Sequence, residues 1–509
     1  MSNKEVTVPV STHSNALKPG DAAASPQRQN SLVPTTSALR RRSRFSWIQK
    51  NSFYYKDLEK LFSFHVPKNG KVVEIGHGVG RLLSGCVPAQ GLGIELDLST
   101  VEEARSHTEY PVEYWDGTSE LPSTVLHQMS EGVDTILLVN TVGYWSDIEV
   151  ALKKMAPLCR PHTRIIAVYY NFLWAFPFRI AQKLRLKMPQ ADQNWLSAAD
   201  VANLFRLSNY RVVKQGYRCL MPVNLGPISW FMNRVLGNLP GLSRLGCTHF
   251  VIARPEHKIE PKNVFASVII PARNEQGNIE SAVRRMAQIA SERKEKYEIV
   301  FVEGNSTDDT WGEIQRVIND PSIPKPFPVR AFKQPGKGKG DACRKGYAHA
   351  DGNLFLILDA DLTVPPEDLP KFVDAYCDGH GEFINGCRLV YKMEREAMRP
   401  LNLLGNKFFS YAFTWLLGQR FKDTLCGTKV LSRDNYRRLE EGRAYFGDFD
   451  PFGDFDLIFG ASKLNLEIAE VPIRYLERTY GQTNISRWKH GWLLLKMCFF
   501  ALGRIKFIR

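Results

Sequence analysis

Short apolar runs alternate with stretches of helical spacing along most of the chain. The runs that read as buried strands are residues 72–75, 136–139, 165–169, 265–270, 298–302 and 354–358. Continuous apolar runs are typical of parallel strands covered by helices on both faces, with the intervening helices making the crossovers. The pattern therefore predicts an α/β protein with two doubly wound units in series.

The segments that flank and join these units differ in composition. Residues 1–45 are rich in Ser, Pro, Ala, Gln and Asn without apolar periodicity, and residues 254–263 combine prolines with charges. Such segments bury too little apolar surface to fold alone. We predict a disordered basic tail (1–45), a first unit (46–253), a linker (254–263), a second unit (264–482) and a basic amphipathic C-terminal segment (483–509).

The net charge of +14 is concentrated at the two ends of this 509-residue chain. Residues 1–50 hold eight Lys or Arg against two acids, and residues 484–509 hold six against none, which leaves +2 for the rest. This distribution argues against a surface built for nucleic acid. It favours a membrane surface, or another polyanion, as the partner of the ends.

Two further features bear on the compartment. No run reaches the ~18 apolar residues that a membrane-spanning helix needs, and the nine cysteines are scattered without a CxxC pair. We expect free thiols in a reducing compartment. The expected location is cytoplasmic, peripheral at the cytosolic face of a membrane.

A glycine-rich turn follows the first apolar run. Gly76, Gly78 and Gly80 alternate directly after it, Glu95 comes about twenty residues later, and Asp116 follows a third candidate strand. Glycine lets the backbone approach a ligand, and a carboxylate at the next strand end suits the two hydroxyls of a ribose. A tight strand-to-helix turn explains the glycines alone equally well.

Taken together, residues 53–255 resemble the class I S-adenosylmethionine-dependent methyltransferases, which have a Rossmann-like fold. The usual Gly-Gly turn of the family is Pro161-His162 here. The resemblance implies that the cofactor's ribose binds Glu95 and its adenine amino group Asp116. It implies that the methionine part is held by Glu74, Gly76, Gly78 and Gly80. No catalytic residue is indicated, and a cofactor-free scaffold that retains the fold stays open.

The second unit carries paired carboxylates at a strand end. Asp359 and Asp361 follow the run 354–358 at spacing i, i+2. Two hard oxygen ligands beside an open loop suit Mg²⁺ or Mn²⁺ bridging a diphosphate, because the ion keeps its other positions for phosphate oxygens and water. A Gly/Lys segment, residues 335–342, can wrap a phosphate-bearing ligand.

Four motifs in order identify a second resemblance. They are PARNE (271–275), EGNSTDDT (303–310), GKGKGDA (336–342) and DADLTVPP (359–366). Residues 264–482 resemble the inverting, nucleotide-sugar glycosyltransferases of family two with the GT-A fold. The polyprenyl-phosphate or dolichyl-phosphate sugar transferases are the most similar by pattern.

This resemblance implies roles for individual residues. Asp359 and Asp361 would carry the metal and the diphosphate. The nucleotide of a UDP- or GDP-sugar would contact Pro271, Arg273, Glu275, Lys339 and Asp341. Glu303 stands with Gly304 where the family usually has Asp-Asp, so the nucleobase contact there is altered.

The catalytic candidates are Asp423, Asp454 and Asp456. Asp454 and Asp456 occupy the place of the family's acceptor-orienting carboxylates, with solvated surface charges as the alternative.

Arg474 and Arg478 resemble a basic loop over the diphosphate, and bidentate guanidinium contacts suit phosphate; a pair of surface ion pairs is the alternative. The base stays undecided, because a phosphate acceptor is already ionised and a sugar hydroxyl is not.

The C-terminal segment mixes Trp488 and Trp492 with six cations. This composition suits either an interfacial helix on an anionic bilayer or a helix packed on the second unit. Our overall hypothesis is a glycosyltransferase acting on a lipid-phosphate or glycan acceptor, fused to a methyltransferase that modifies the same glycan or glycolipid. A non-catalytic first unit that only binds and positions, and a wholly inactive membrane-associated scaffold, are the alternatives.

Overall fold

The computed structural model describes residues 44–391, 400–445, 453–478, 480 and 487–506. The predicted tail therefore lies outside the described residues up to position 43. The first helix begins at Arg44, two residues inside the segment predicted as tail. Residues 481–486 and 507–509 of the predicted C-terminal region also lie outside them.

The first unit is a seven-stranded sheet of order β3-β2-β1-β4-β5-β7-β6. Its strands are β1 Lys71–Ile75, β2 Gln90–Glu95, β3 Val112–Tyr114, β4 Val133–Val139, β5 Cys159–Tyr170, β6 Tyr210–Arg218 and β7 Thr248–Pro255. Neighbouring strands are parallel except around β7, which runs antiparallel to β5 and β6. Residues 72–75 and 136–138 are fully buried, as their continuous apolar runs predicted.

In the described residues 44–255, nine α-helices accompany this sheet. They are α1 Arg44–Lys50, α2 Ser52–His65, α3 Arg81–Cys86, α4 Leu98–Arg105, α5 Ser123–Gln128, α6 Ile148–Lys154, α7 Ala175–Lys183, α8 Ala198–Leu207 and α9 Pro227–Arg234. Side-chain caps define several starts. Asp147 accepts the amide of Val150 at α6, and Ser197 and Asp200 form a reciprocal capping box at α8, which satisfies otherwise unpaired N–H groups.

The second unit is a second seven-stranded sheet, of order β10-β9-β8-β11-β13-β12-β14. Its strands are β8 Phe265–Ala272, β9 Lys296–Glu303, β10 Val329–Lys333, β11 Leu354–Ile357, β12 Phe383–Cys387, β13 Lys429–Ser432 and β14 Ile468–Pro472. β13 is antiparallel to β11 and β12. Its helices are α10 Ile279–Glu292, α11 Thr310–Asn319, α12 Lys339–His349, α13 Leu369–Cys377, α14 Pro400–Leu417, α15 Arg433–Glu441, α16 Asp454–Lys463 and α17 Arg487–Ala501.

The predicted fold class is thus confirmed: two doubly wound α/β units follow each other along the chain. Each sheet has apolar cores on both faces. All nine cysteines are free thiols.

The two units meet along a charged, largely buried interface. Arg164 of the first unit binds Glu382 of the second at 2.7 Å, and Arg211 and Arg254 bind Glu467 at 2.7 and 2.6 Å. The side chains of Arg164 and Arg254 are only 3% exposed. Since buried charges are tolerated when they are paired, these partners fix how the units contact each other.

The C-terminal helix α17 packs on the second unit. Met497 and Ala501 are fully buried, whereas Trp492 and Phe499 are exposed. The packed alternative for this segment is therefore present, with two aromatic side chains left at the surface. None of the described helices has both the length and the apolar character needed to cross a membrane.

Candidate active sites

The ends of β8 and β11 and the start of α12 bring predicted residues of the second unit together. The Lys339 ammonium lies 2.5 Å from the Asp359 carboxylate. Burial opposes ionisation of Asp359, but Lys339 and neighbouring cations hold its pKa below the usual range. Burial likewise opposes the charge on Lys339, yet the carboxylates of Asp359 and Asp454 raise its pKa overall. This pair is therefore ionised.

Arg478 joins two predicted residues from distant parts of the chain. Its guanidinium lies 3.1 Å from Glu275 and 2.6 Å from Asp361. Asp361 also accepts hydrogen bonds from the amide and hydroxyl of Thr363 at 3.1 and 2.9 Å. Arg478 therefore contacts two carboxylates, Glu275 and Asp361, that the resemblance assigns to the nucleotide and to the metal with its diphosphate.

A second buried ion pair adjoins Lys339. Asp454 binds the fully buried Lys429 at 2.9 Å. A Cβ on Gly453 would lie 2.5 Å from the Cα of Gly340, so the start of α16 packs directly on α12. Asp454 therefore lies close enough to Lys339, the partner of Asp359, to help raise the pKa of that lysine.

The other two catalytic candidates are engaged elsewhere. Asp423 forms a bidentate pair with Arg388, both contacts at 2.8 Å. Burial opposes ionisation of Asp423, but Arg388 lowers its pKa. Asp456 binds Arg443 at 2.8 Å. The alternative of solvated surface charges is wrong for Asp454 and Asp456. Each side chain is only 10% exposed, and each forms an ion pair, with Lys429 and Arg443 respectively.

The remaining predicted contacts of the nucleotide shape the loops. The Glu303 carboxylate accepts the amide of Ser306 at 2.6 Å, and Asp341 accepts the amide of Gly336 at 2.8 Å. Both carboxylates therefore organise backbone next to the predicted nucleotide position. The other residues assigned there by sequence are half-buried Pro271, exposed Arg273 and, on the basic loop, exposed Arg474.

The acidic pair fits a divalent cation shared with a substrate. Within the described part of the chain, no three His, Cys, Asp or Glu side chains form a ready-made metal cluster. Mg²⁺ is usually held by one or two carboxylates together with substrate phosphates and water, and Asp359 and Asp361 supply that number. Gly427 leaves room for the Asp359 carboxylate, because a Cβ at position 427 would lie 1.8 Å from an Asp359 oxygen.

In the first unit a cavity of about 400 Å³ lies at the glycine-rich turn after β1. Gly76, Gly78 and Gly80 have φ values of +83°, +64° and +74°, a region that favours glycine. Gly76, Gly78 and Glu95, three of the residues that the resemblance assigns to the cofactor, line the cavity. Its other walls are largely aromatic and aliphatic, including Tyr144 and Phe178.

Glu95 is fully engaged by protein donors. The Arg44 guanidinium lies 3.0 Å from both of its oxygens, Thr100 donates at 3.0 Å, and the amide of Gly78 also donates to it. The carboxylate predicted to bind ribose is therefore covered by α1. Hydroxyls of a ribose would take the place of Arg44, and the remaining walls are compatible with a nucleoside.

Three residues assigned to the cofactor, Glu74, Gly80 and Asp116, do not line the cavity. Glu74 is buried beneath it and bonds Nδ1 of His77 at 2.8 Å; burial raises its pKa. Asp116 is exposed and accepts the amides of Thr118 and Ser119, each at 2.8 Å. Glu74 thus supports the turn, and Asp116 shapes its own loop.

Sequence reasoning missed three cations. Arg44 was placed in the tail, although Trp47 and Ile48 after it already mark a helix with a buried face. Lys429 lies six residues after the candidate Asp423, but nothing local in the sequence indicates that it is fully buried. Lys187 lines the first cavity 4.5 Å from the Tyr170 ring centroid, and burial lowers its pKa to about 7.

The second unit combines a doubly wound α/β sheet with an acidic, cation-paired site at the strand ends. Residues 267–438 match the glycosyl transferase family 2 profile. The low-salt glycan biosynthesis hexosyltransferase Agl6 of Haloferax volcanii is 27% identical over 230 residues, which cover 44% of this chain and 51% of that protein. The chain thus spans about half of this relative's length.

Two further comparisons widen the picture. A dolichyl-phosphate beta-glucosyltransferase of Dictyostelium discoideum is 27% identical over 243 residues, covering 44% of this chain and 69% of that protein. For the other part of the chain, a crystal structure of a SAM-dependent methyltransferase from Thermotoga maritima, described as a possible histamine N-methyltransferase, is 16% identical. It covers 41% of this chain and 92% of that one, with a TM-score of 0.31.

Proposed function

We propose that the second unit transfers a sugar, with inversion, from a UDP- or GDP-sugar to a lipid-phosphate acceptor in a reaction that needs Mg²⁺ or Mn²⁺. The family 2 domain and the dolichyl-phosphate relatives support this assignment. The observation that carries it is the convergence of Asp359, Asp361 and Glu275 with the cations Lys339 and Arg478. Such a site suits a nucleoside diphosphate with its metal.

The protein groups have separable roles in this proposal. Asp359 and Asp361 would hold the divalent ion, whose charge stabilises the departing diphosphate. Arg478 would release the two carboxylates and bind the diphosphate in the same place, since guanidinium contacts both groups in a bidentate manner. Lys339 would hold Asp359 in place through their ion pair, next to Gly427, where a Cβ would lie 1.8 Å from an Asp359 oxygen.

The ion pairs favour a phosphate acceptor over a sugar hydroxyl. Arg388 lowers the pKa of Asp423, which makes this carboxylate a weaker base. Asp454 and Asp456 are each paired with a cation, Lys429 and Arg443 respectively. A hydroxyl acceptor needs a base, whereas a phosphate monoester is already ionised near neutral pH. A glycan acceptor remains the second candidate for this unit.

The test is a transfer assay with the full chain and Mn²⁺, in which polyprenyl phosphate or a free oligosaccharide is the acceptor and UDP-glucose, UDP-GlcNAc or GDP-mannose is the donor. We expect one donor to yield a lipid-linked sugar, and EDTA to stop its formation. Product that forms only on a sugar hydroxyl would move the assignment to the glycan acceptor. No transfer from any donor, to either acceptor class, would contradict the proposal.

For the first unit, the proposal is that it binds S-adenosylmethionine and methylates the same glycan or glycolipid. The glycine-lined cavity with Glu95 at its wall supports cofactor binding. The cofactor would supply an activated methyl group, and the protein would mainly position the acceptor. The coverage of Glu95 by Arg44 favours the alternative, a binding module without catalysis.

A thermal-shift titration with S-adenosylmethionine separates binding from its absence, and labelled methyl transfer then separates catalysis from binding.

A further inference from the structure

Two segments of the first unit present an unusual number of apolar side chains to solvent. Of the 29 exposed large apolar side chains in the described residues, fourteen lie in residues 172–190 and 220–246. Phe176 is 72% exposed, Leu184 64%, Ile228 60% and Trp230 56%. Scattered apolar residues are normal at a surface, but a contiguous group marks a binding surface.

The two segments form one surface. The Trp174 indole donates to the carbonyl of Leu245 at 2.9 Å, and the Asn171 amide donates to the carbonyls of Arg244 and Gly246 at 2.9 Å. Both segments also line the cavity, the first through Phe178 and the second through Val223. We call residues 172–190 and 220–246 the apolar–basic face, and the cavity lies at its edge.

The charge of this face has a single sign. The two segments contain six cations and no Asp or Glu. Arg179, Lys183, Arg185 and Arg244 are exposed among the apolar side chains. Exposed aromatic and aliphatic groups interspersed with Lys and Arg suit the boundary between headgroups and acyl chains of an anionic bilayer. A second copy of the chain would bring like charges together, which disfavours self-association.

The surface continues onto the second unit. The Trp415 indole on α14 donates to the carbonyl of Asn238 at 3.0 Å. Phe408 and Tyr411, which are 57% and 77% exposed, lie at positions seven and four residues before Trp415 and so share its side of the helix. Exposed apolar side chains of the second unit therefore lie on the side of α14 that contacts the first unit.

We infer that the apolar–basic face, with the exposed side of α14, docks on an anionic phospholipid bilayer. The first cavity then opens beside the lipid, and an acceptor carried on a lipid reaches it without leaving the membrane. This inference deepens the proposed action on a lipid-linked acceptor and rests on it for its purpose. Its test uses neither donor nor cofactor, so the two can fail separately.

The experiment is flotation of the full chain with vesicles of phosphatidylcholine, alone or mixed with phosphatidylglycerol. We expect binding to the anionic vesicles that weakens with salt. The double variant Trp230→Ser, Phe231→Ser should lose at least about tenfold in partitioning, because two interfacial aromatic groups are removed. Lys183→Gln with Arg185→Gln should lose about fivefold per cation on anionic vesicles only.

Matched controls keep the result specific. Leu98→Ser removes a side chain of the first unit that is 67% exposed but outside the face, and Lys153→Gln with Arg206→Gln removes two exposed cations elsewhere; both should float like the parent. Far-UV circular dichroism and melting confirm that every variant is folded.

The inference is overturned if the parent protein does not bind anionic vesicles. It is equally overturned if Trp492→Ser with Phe499→Ser on α17 abolishes binding while the Trp230, Phe231 variant does not. It is overturned, too, if gel filtration shows a dimer that the Trp230, Phe231 variant dissociates.

Discussion

The two units use the same kind of sheet to build opposite environments. At the strand ends of the second unit, Asp359 and Asp361 are each paired with a cation. At the corresponding place in the first unit, the cavity walls are mostly aromatic and aliphatic, and its carboxylate Glu95 is covered by Arg44. The comparison teaches that a doubly wound sheet provides a location, while the loops that follow the strands decide which ligand chemistry can be used there.

The largest expected effect tests whether the acidic pair serves the second unit alone. Asp359→Asn or Asp361→Asn should reduce sugar transfer by about 100-fold or more, because a charged ligand of the diphosphate site is lost. Thermal stabilisation by S-adenosylmethionine should not change. The assay is initial-rate transfer, with exposed Asp378→Asn as the matched control. Equal loss of activity in the control would remove the special role of the pair.

Gly427→Ala probes the same site through its backbone. The new methyl group would overlap an Asp359 oxygen and approach the Lys339 ammonium, so we expect transfer to fall at least about tenfold with a stability cost of about 1–3 kcal/mol. Gly405→Ala is the control, since a Cβ there meets nothing within 4 Å. Activity and urea unfolding measure both effects. An active Gly427→Ala enzyme would mean that Asp359 can work from another position.

The ion pairs between the units should contribute to the stability of the folded protein, because they join the first unit to the second. Glu467→Gln leaves Arg211 and Arg254 without their carboxylate and should cost about 3–5 kcal/mol in unfolding free energy. The exposed pair of Glu131 with Lys71 provides the comparison, and Glu131→Gln should destabilise the protein far less than Glu467→Gln, because water screens an exposed pair. Similar costs for both changes would show that the interface is open to water.

The pH dependence of stability probes the same interface. Lys214 is buried between the units beside Ser462, and burial lowers its pKa to about 7. Between pH 7 and the ordinary pKa of a lysine, Lys214 is protonated in the unfolded chain but neutral in the folded protein. The folded protein is therefore most stable at high pH, and it loses stability as the pH falls toward 7. Between about pH 7 and pH 10 the parent should gain up to ~1.4 kcal/mol per pH unit relative to Lys214→Met. Urea unfolding across this range measures it. Exposed Lys153→Met should keep the parent's slope, and parallel curves for Lys214→Met would refute the assignment.

The smallest effect concerns the covered carboxylate of the first unit. Arg44→Ala frees Glu95, so S-adenosylmethionine should bind roughly fivefold more tightly, the magnitude of one partly exposed ion pair. Calorimetric titration measures the affinity, and Lys50→Ala on the same helix is the control. Weaker binding in Arg44→Ala would instead make Arg44 part of the binding site.

Much of the site could be predicted because its residues lie in local patterns. The glycines at 76, 78 and 80, and the carboxylates at 359 and 361, directly follow apolar strands, and strand ends of a parallel sheet share an edge. Their neighbourhood was therefore predictable. Their partners were not: Arg478 lies 203 residues from Glu275 and 117 from Asp361. Asp116 shows the converse, since its strand-end position was predicted correctly but its side chain caps its own loop.

The sequence alone determined the elements, their order and the edges at which chemistry is possible, because apolar periodicity and turn residues act over a few positions. The tertiary structure alone decided which charges meet. Arg44 covers Glu95 across 51 residues, and Arg164 binds Glu382 across 218. It also decided that two segments far apart in the chain form one apolar–basic face. The physical reason is that burial and ion pairing are properties of the packed chain, and a side chain bears no local mark of the distant partner that will bury or neutralise it.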